Sequence, residues 1–159
     1  MPSHDRPDRV ILIRHAEKTG VPGDRSLSPL GLRHAVALST ELPRQVGRID
    51  RIIAARSSRK SQRPVETVEP LAARLGLEID ASWGSDDTEA LAAHLLEADH
   101  ARQSVLVCWR HDTLQDLARA LGATEAGPWP EDVYDRIWIV NWSDGAIELK
   151  ELTDTSAGA

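Results

Sequence analysis

Along the chain, short continuous apolar runs alternate with longer segments whose apolar residues recur at helical spacing. Val10 to Ile13 is an apolar run of strand length, as expected for a strand covered on both faces. A polar loop containing Gly20 and Gly23 follows, and then Ser28-Pro29, a suitable N-cap and first-turn pair. The spacing predicts a helix over about 29–42 with Leu32, Ala35, Val36 and Leu38 on its inner face. Arg51 to Ala55 reads as a second strand, and helical spacing resumes through Thr67, Leu71 and Leu75 until Gly76 stops it. Leu77 to Ile79 is a third short strand. Residues 86–98 begin with acids and continue with strong helix formers. The run SVLVCW is a buried strand, followed by a helix over about 113–121 closed by Gly122. The end of the chain, YDRIWIVNW-SDG-AIELKEL, reads as a hairpin turning at Asp144-Gly145.

This succession predicts an α/β fold, a three-layer sandwich with a mainly parallel central sheet, an antiparallel edge and helices on both faces. A polar leader over 1–8, one domain over 9–152 and a disordered tail over 153–159 complete the expected organisation. Two strands end alike: RVILIRHAEK stops on Arg14-His15 and SVLVCWRHDT on Arg110-His111. Sites in such sheets form beyond the carboxyl ends of the strands, so both pairs converge there if the strands are neighbours.

Composition narrows the chemistry. At 159 residues and 41% hydrophobic, the chain has the length and core of one ordinary domain. A net charge of −6, with both signs mixed along the length, offers no basic stripe for nucleic acid. The single cysteine, Cys108, excludes a disulfide within the chain and suits a reducing cytoplasm. No apolar run approaches a membrane span, and the N-terminal residues lack a signal core, so a soluble cytoplasmic protein with no membrane partner is expected. Arginine presents a planar fork of donors that matches phosphate oxygens. A histidine held among arginines is pushed toward its neutral, nucleophilic form. One histidine can then attack phosphorus while the second donates to oxygens whose charge the arginines stabilise.

With these residues in place, the sequence resembles the histidine phosphatase superfamily, which includes the phosphoglycerate mutases, and is similar to its small bacterial phosphohistidine phosphatases. RHAEK resembles the superfamily's Arg-His-Gly signature, with alanine in the glycine place. LSPLGLRHAVAL resembles its Leu-Thr-Pro-x-Gly helix start, and RPVETVEPLA its Arg-x-x-Gln-Thr-Ala helix, with Glu66 where glutamine is usual. SVLVCWRHDTLQDLARALG resembles the second-histidine segment, with Arg110 replacing glycine. The ordered set spans roughly residues 9 to 140.

The resemblance implies that His15 is the nucleophile, Arg14 and Arg63 clamp phosphate, and His111 donates to it. Arg59 is the alternative second clamp. Backbone amides at the helix start near Arg63 would assist. The leaving-group acid is open: Asp112 in the acid-phosphatase pattern, Asp86 or Asp87 in the mutase pattern, or none, as for a protonated phosphoramidate. Asp86 and Asp87 also read as a helix-capping pair, and Asp112 as an N-cap. Glu17, Lys18 and Arg110 are candidate substrate-binding residues at the pocket rim.

Elsewhere, His4, His34, His94 and His100 read as surface residues, and Trp109 and Trp138 as core. The leading expectation is a phosphohydrolase that needs no metal or organic cofactor. It would work through a phosphohistidine intermediate on a small phosphoester or a phosphohistidine protein. A catalytically weak phosphate-binding or regulatory module stands second. A metallohydrolase stands third, because no HxH or HExxH spacing exists. A mutase is disfavoured by the short chain, which has little inserted loop to shield an intermediate from water.

Overall fold

The computed structural model describes residues 6–97, 100–143 and 146–158. Six strands form one sheet in the order β3-β2-β4-β1-β5-β6. They are β1 (Arg9–Arg14), β2 (Arg51–Ala54), β3 (Ile79–Asp80), β4 (Ser104–Trp109), β5 (Arg136–Ser143) and β6 (Ala146–Thr153). The first four run parallel, while β5 pairs antiparallel with β1 and β6 antiparallel with β5. Helices α1 (Pro29–Val46) and α2 (Arg63–Leu75) cover one face, and α3 (Thr88–Leu95) and α4 (His111–Ala120) cover the other. The expected α/β sandwich, mainly parallel with an antiparallel edge, is thus observed.

Two cores follow from the pleat. Val10 and Leu12 of β1 pack with Leu91, Leu95, Leu114 and Leu117 of α3 and α4, whereas Ile11 and Ile13 face Leu38, Leu42, Val68 and Leu71 of α1 and α2. All six residues of β4 are buried, as its unbroken apolar run required. Trp109 and Trp138 belong to the core as expected. No helix among the described residues is long and apolar enough to cross a membrane.

Three expectations need correction. The inner face of α1 is Gly31, His34, Ala35, Leu38, Leu42 and Val46, and Leu32 and Val36 are half or more exposed. The helix is rotated by about one residue because the loop after β1 presses against its first turn. A Cβ on Gly31 would lie 2.2 Å from the Glu17 carbonyl oxygen. His34 and His100 are buried rather than at the surface. Residues 153–158 do not trail away either: Thr153 ends β6, and Asp154 and Ser156 are buried, with Asp154 against His34. His4 and the Asp144-Gly145 turn lie outside the described residues, although the register of Ser143 opposite Ala146 is that of a hairpin.

Candidate active site

Because β1 and β4 are adjacent and parallel, with Arg14 opposite Trp109, both Arg-His endings emerge at the same end of the sheet, beyond the carboxyl ends of the strands. The His15 amide donates to the Trp109 carbonyl (3.1 Å), which fixes the chain where it leaves the ladder. The His15 ring is 5% exposed, and its Nδ1 lies 2.7 Å from the Ala16 carbonyl oxygen. A carbonyl can only accept, so Nδ1 carries the proton and the lone pair of the neutral ring lies on Nε2. Burial lowers the His15 pKa to about 3. The Ala16 bond opposes this, and the positive charges of Arg14, Arg63 and His111 add to it. His15 is therefore a neutral imidazole throughout the physiological range.

The strap behind His15 is held from α2. The Ala16 amide donates to Thr67 Oγ1 (2.9 Å), and that hydroxyl donates in turn to the Arg63 carbonyl (2.7 Å). Arg63 is the first residue of α2 and Pro64 the second, so the proline sits where its missing N–H is harmless. The Arg63 guanidinium donates through Nη1 to the Asp24 carbonyl (2.8 Å). At this helix start the Arg63 amide donates to Ser61 Oγ (3.1 Å), the Glu66 amide to the Gln62 carbonyl (3.1 Å), and Pro64 has no N–H.

Arg14 is buried. Its Nη1 donates to the Glu131 carbonyl and to the Val133 carbonyl (3.4 Å), its Nη2 to Tyr134 Oη (3.1 Å), and its Cζ lies 3.8 Å from the Tyr134 ring centroid. Burial lowers its pKa, and Tyr134, Glu131 and Glu17 oppose that shift. Nε of Arg14 and Nε of Arg63 are both buried without a partner among the described residues, and an unmade hydrogen bond of this kind is costly. His111 opens α4, and its Nδ1 lies 3.2 Å from the Trp129 carbonyl oxygen. Donation from its Nε2 to a bound phosphoryl group therefore requires the imidazolium form.

A cleft of about 210 Å³ opens over His15, lined by Arg56, Ser58, Lys60, Arg63, Ser85 and Arg110 among others. Trp109 Nε1 donates to the Ser85 carbonyl (2.9 Å) and so pins that wall to β4. Arg110 borders the cleft, with Nε 2.5 Å from Asp112 Oδ1 and Nη2 2.8 Å from Asp86 Oδ1. Asp112 and Asp86 are thereby turned to Arg110, and Asp87 Oδ2 accepts from the Gly84 amide (2.9 Å). Asp112 is not the N-cap of α4, which is Arg110. Glu17 points away from the cleft to His34 Nδ1 (2.8 Å), and Lys18 is exposed and paired with Glu131 (3.2 Å). Arg59 lies outside the His15 cleft, in the neighbouring hollows.

Arg56, Lys60 and Tyr134 were not singled out from the sequence, and Thr67 entered only as a helix position. The dense run RSSRKSQR was a visible signal for Arg56 and Lys60, and the spacing of Thr67 from Arg63 for the hydroxyl. Nothing local marked the 129–134 loop, whose groups act through carbonyl oxygens and one tyrosine. Among the described residues no group of three or more His, Cys, Asp or Glu could hold a metal ion.

No protein-family model matches the chain, and no curated protein matches it by sequence. Solved structures do. The protein histidine phosphatase SixA complexed with tungstate superposes with a TM-score of 0.65 at 18% identity, over 91% of this chain and 96% of that one. Mycobacterial glucosyl-3-phosphoglycerate phosphatase gives 0.64 at 16% identity, over 95% and 100%. Phosphoglycerate mutase from Bacillus anthracis gives 0.62 at 14% identity, over 97% and 96%. At such identities the likeness speaks for architecture: the chain has the fold of the histidine phosphatases.

Proposed function

We propose that the protein is a phosphohydrolase that passes a phosphoryl group through His15 to water, with a small phosphoester or a phosphohistidine as substrate. The observation that carries this reading is the state of His15, a buried neutral ring whose free lone pair is on Nε2, beside Arg14, Arg63 and His111. Nε2 would attack phosphorus as the bond to the leaving oxygen or nitrogen breaks. Arg14, Arg63 and the His111 imidazolium would neutralise charge on the equatorial oxygens. Water would then cleave the N–P bond and restore the ring. The structural neighbours, phosphatases and a mutase among them, support this class of chemistry.

Among the described residues, those lining the His15 cleft include no carboxylate. That favours leaving groups needing no protonation at the moment of departure, such as aryl oxygens and already protonated phosphoramidates. The alternative, a phosphate-binding module with weak turnover, draws on the same feature and on the bulky Arg110 at the cleft. One assay separates them. With a chelator and no added metal, the protein should hydrolyse an aryl phosphate. Activity lost on chelation and restored by zinc or manganese would overturn the proposal, and phosphate binding without turnover would establish the module.

A further inference from the structure

The segment linking β2 to α2 has a charge pattern unlike the rest of the chain. In a protein of net charge −6, residues 56–63, RSSRKSQR, carry four cations and no acid. Arg63 and Arg56 have backbone acceptors, Arg56 Nη1 donating to the Ser82 carbonyl at 3.0 Å. Arg59 and Lys60 are exposed, and their side chains have no hydrogen-bond or ion-pair partner among the described residues. Exposed cations are ordinary; their placement here is not. Lys60 lines the His15 cleft and also the two hollows that flank it, of about 350 and 530 Å³. Arg59 lines both hollows. The first hollow sets Lys18, Arg59, Lys60 and Arg63 against a single acid, Asp24. In the second, Asp86 and Asp87 are engaged by Arg110 and the Gly84 amide.

We propose that Arg59 and Lys60 form a second anion subsite, so that the preferred substrate is a small molecule carrying a further phosphate or carboxylate besides the phosphoryl group that His15 accepts. This deepens the reading of His15 given above and rests on it. The small size follows from Lys60: one side chain borders both the reacting cleft and the hollows, so the two anions lie within a few bonds of one another. Like-signed groups held at a cleft also raise the local concentration of polyanionic substrates. Each pairing is with a solvent-exposed cation and is therefore modest, so two together give about a ten-fold preference that salt should weaken.

The test compares phenyl phosphate, 4-carboxyphenyl phosphate and 1,4-phenylene bisphosphate at low and high salt. The expected result is a kcat/KM about ten-fold higher for the two substrates with an extra anion, shrinking at high salt. In the double variant Arg59→Gln, Lys60→Gln, these two should lose about ten-fold more than phenyl phosphate does. Arg51→Gln, at the opposite end of β2, should preserve the preference and so excludes a net-charge effect. Equal kcat/KM for all three substrates, or a preference surviving the double variant, overturns the subsite. So does an advantage confined to an acidic phosphopeptide. If no substrate turns over, the phosphohydrolase reading fails and calorimetry decides the subsite alone. Bisphosphate binding about ten-fold tighter than phenyl phosphate, with the difference lost in the double variant, supports it, and equal binding refutes it.

Discussion

His15 and His34 are both buried and both follow an arginine in the sequence, yet one ring is neutral and the other charged. At His15 burial prevails: the one close polar partner is a backbone carbonyl, the neighbouring charges are positive, and the pKa falls to about 3. At His34 burial works in the same direction but is outweighed. Nδ1 lies 2.8 Å from Glu17 Oε1, Nε2 lies 2.8 Å from Asp154 Oδ2, and the pKa rises to about 9. Depth in the protein therefore does not determine what a histidine can do; the sign of the groups facing it does. One ring is kept as a nucleophile. The other is a cation with neither nitrogen free, joining α1 to the residue two positions beyond His15 and to the chain end after β6.

The strongest challenge to this contrast is His15→Ala, which should lower turnover by about 10⁴-fold or more, whereas His34→Gln should leave measurable turnover. Next in size is Asp154→Asn. It removes one of the two carboxylates facing His34, and breaking a buried ion pair from one side costs about 3 kcal/mol, read as a lower urea midpoint at pH 7. The pair also fixes a pH signature. A raised folded-state pKa means that the His34 contribution is fully present below about 6.5 and is lost as pH rises through about 9. This amounts to at most about 3 kcal/mol, and His34→Gln should flatten that decline. His15 acts in the opposite sense. Neutral in the fold, it weakens stability as pH falls from about 6.5 toward about 3.

A smaller effect is expected at the second histidine of the site. His111→Ala removes one donor to the phosphoryl group and should slow turnover about 100-fold while phosphate still binds. Smallest of all is Asp112→Asn. With its carboxylate held by Arg110, it should change turnover of alkyl and aryl phosphates alike by less than about three-fold, of the order of one exposed ion pair. A loss of about 100-fold confined to alkyl phosphates would instead make Asp112 the leaving-group acid.

The strands were legible because buried parallel strands are unbroken apolar runs, and the Arg-His endings because a charge ending such a run has to face a crevice. The α1 face was misread for a definite reason. Ala35, Leu38, Leu42 and Val46 keep helical spacing, and extending it backwards reaches Gly31, whereas Leu32 and Val36 lie one position off that stripe. Gly31 and His34 do not look like core residues, yet the close approach of the Glu17 carbonyl demands the first and a pair of carboxylates stabilises the second. Asp154 was illegible for the complementary reason. Its partner lies 120 residues away, and nothing in TDTSAGA shows that a buried cation awaits it. The placement of His15 and His111 beyond neighbouring strands was legible because it depends only on strand order.

The central claim is that His15, through Nε2, accepts the phosphoryl group. Rapid mixing with phosphorus-labelled aryl phosphate, a cold alkaline quench and mapping of the modified peptide test it directly. The account predicts label on His15 as the Nε2-phosphohistidine, acid-labile, absent from His15→Ala and still formed by His34→Gln. Label on His111 or His34, attachment at Nδ1 of His15, or a phosphoenzyme that persists in His15→Ala would contradict it.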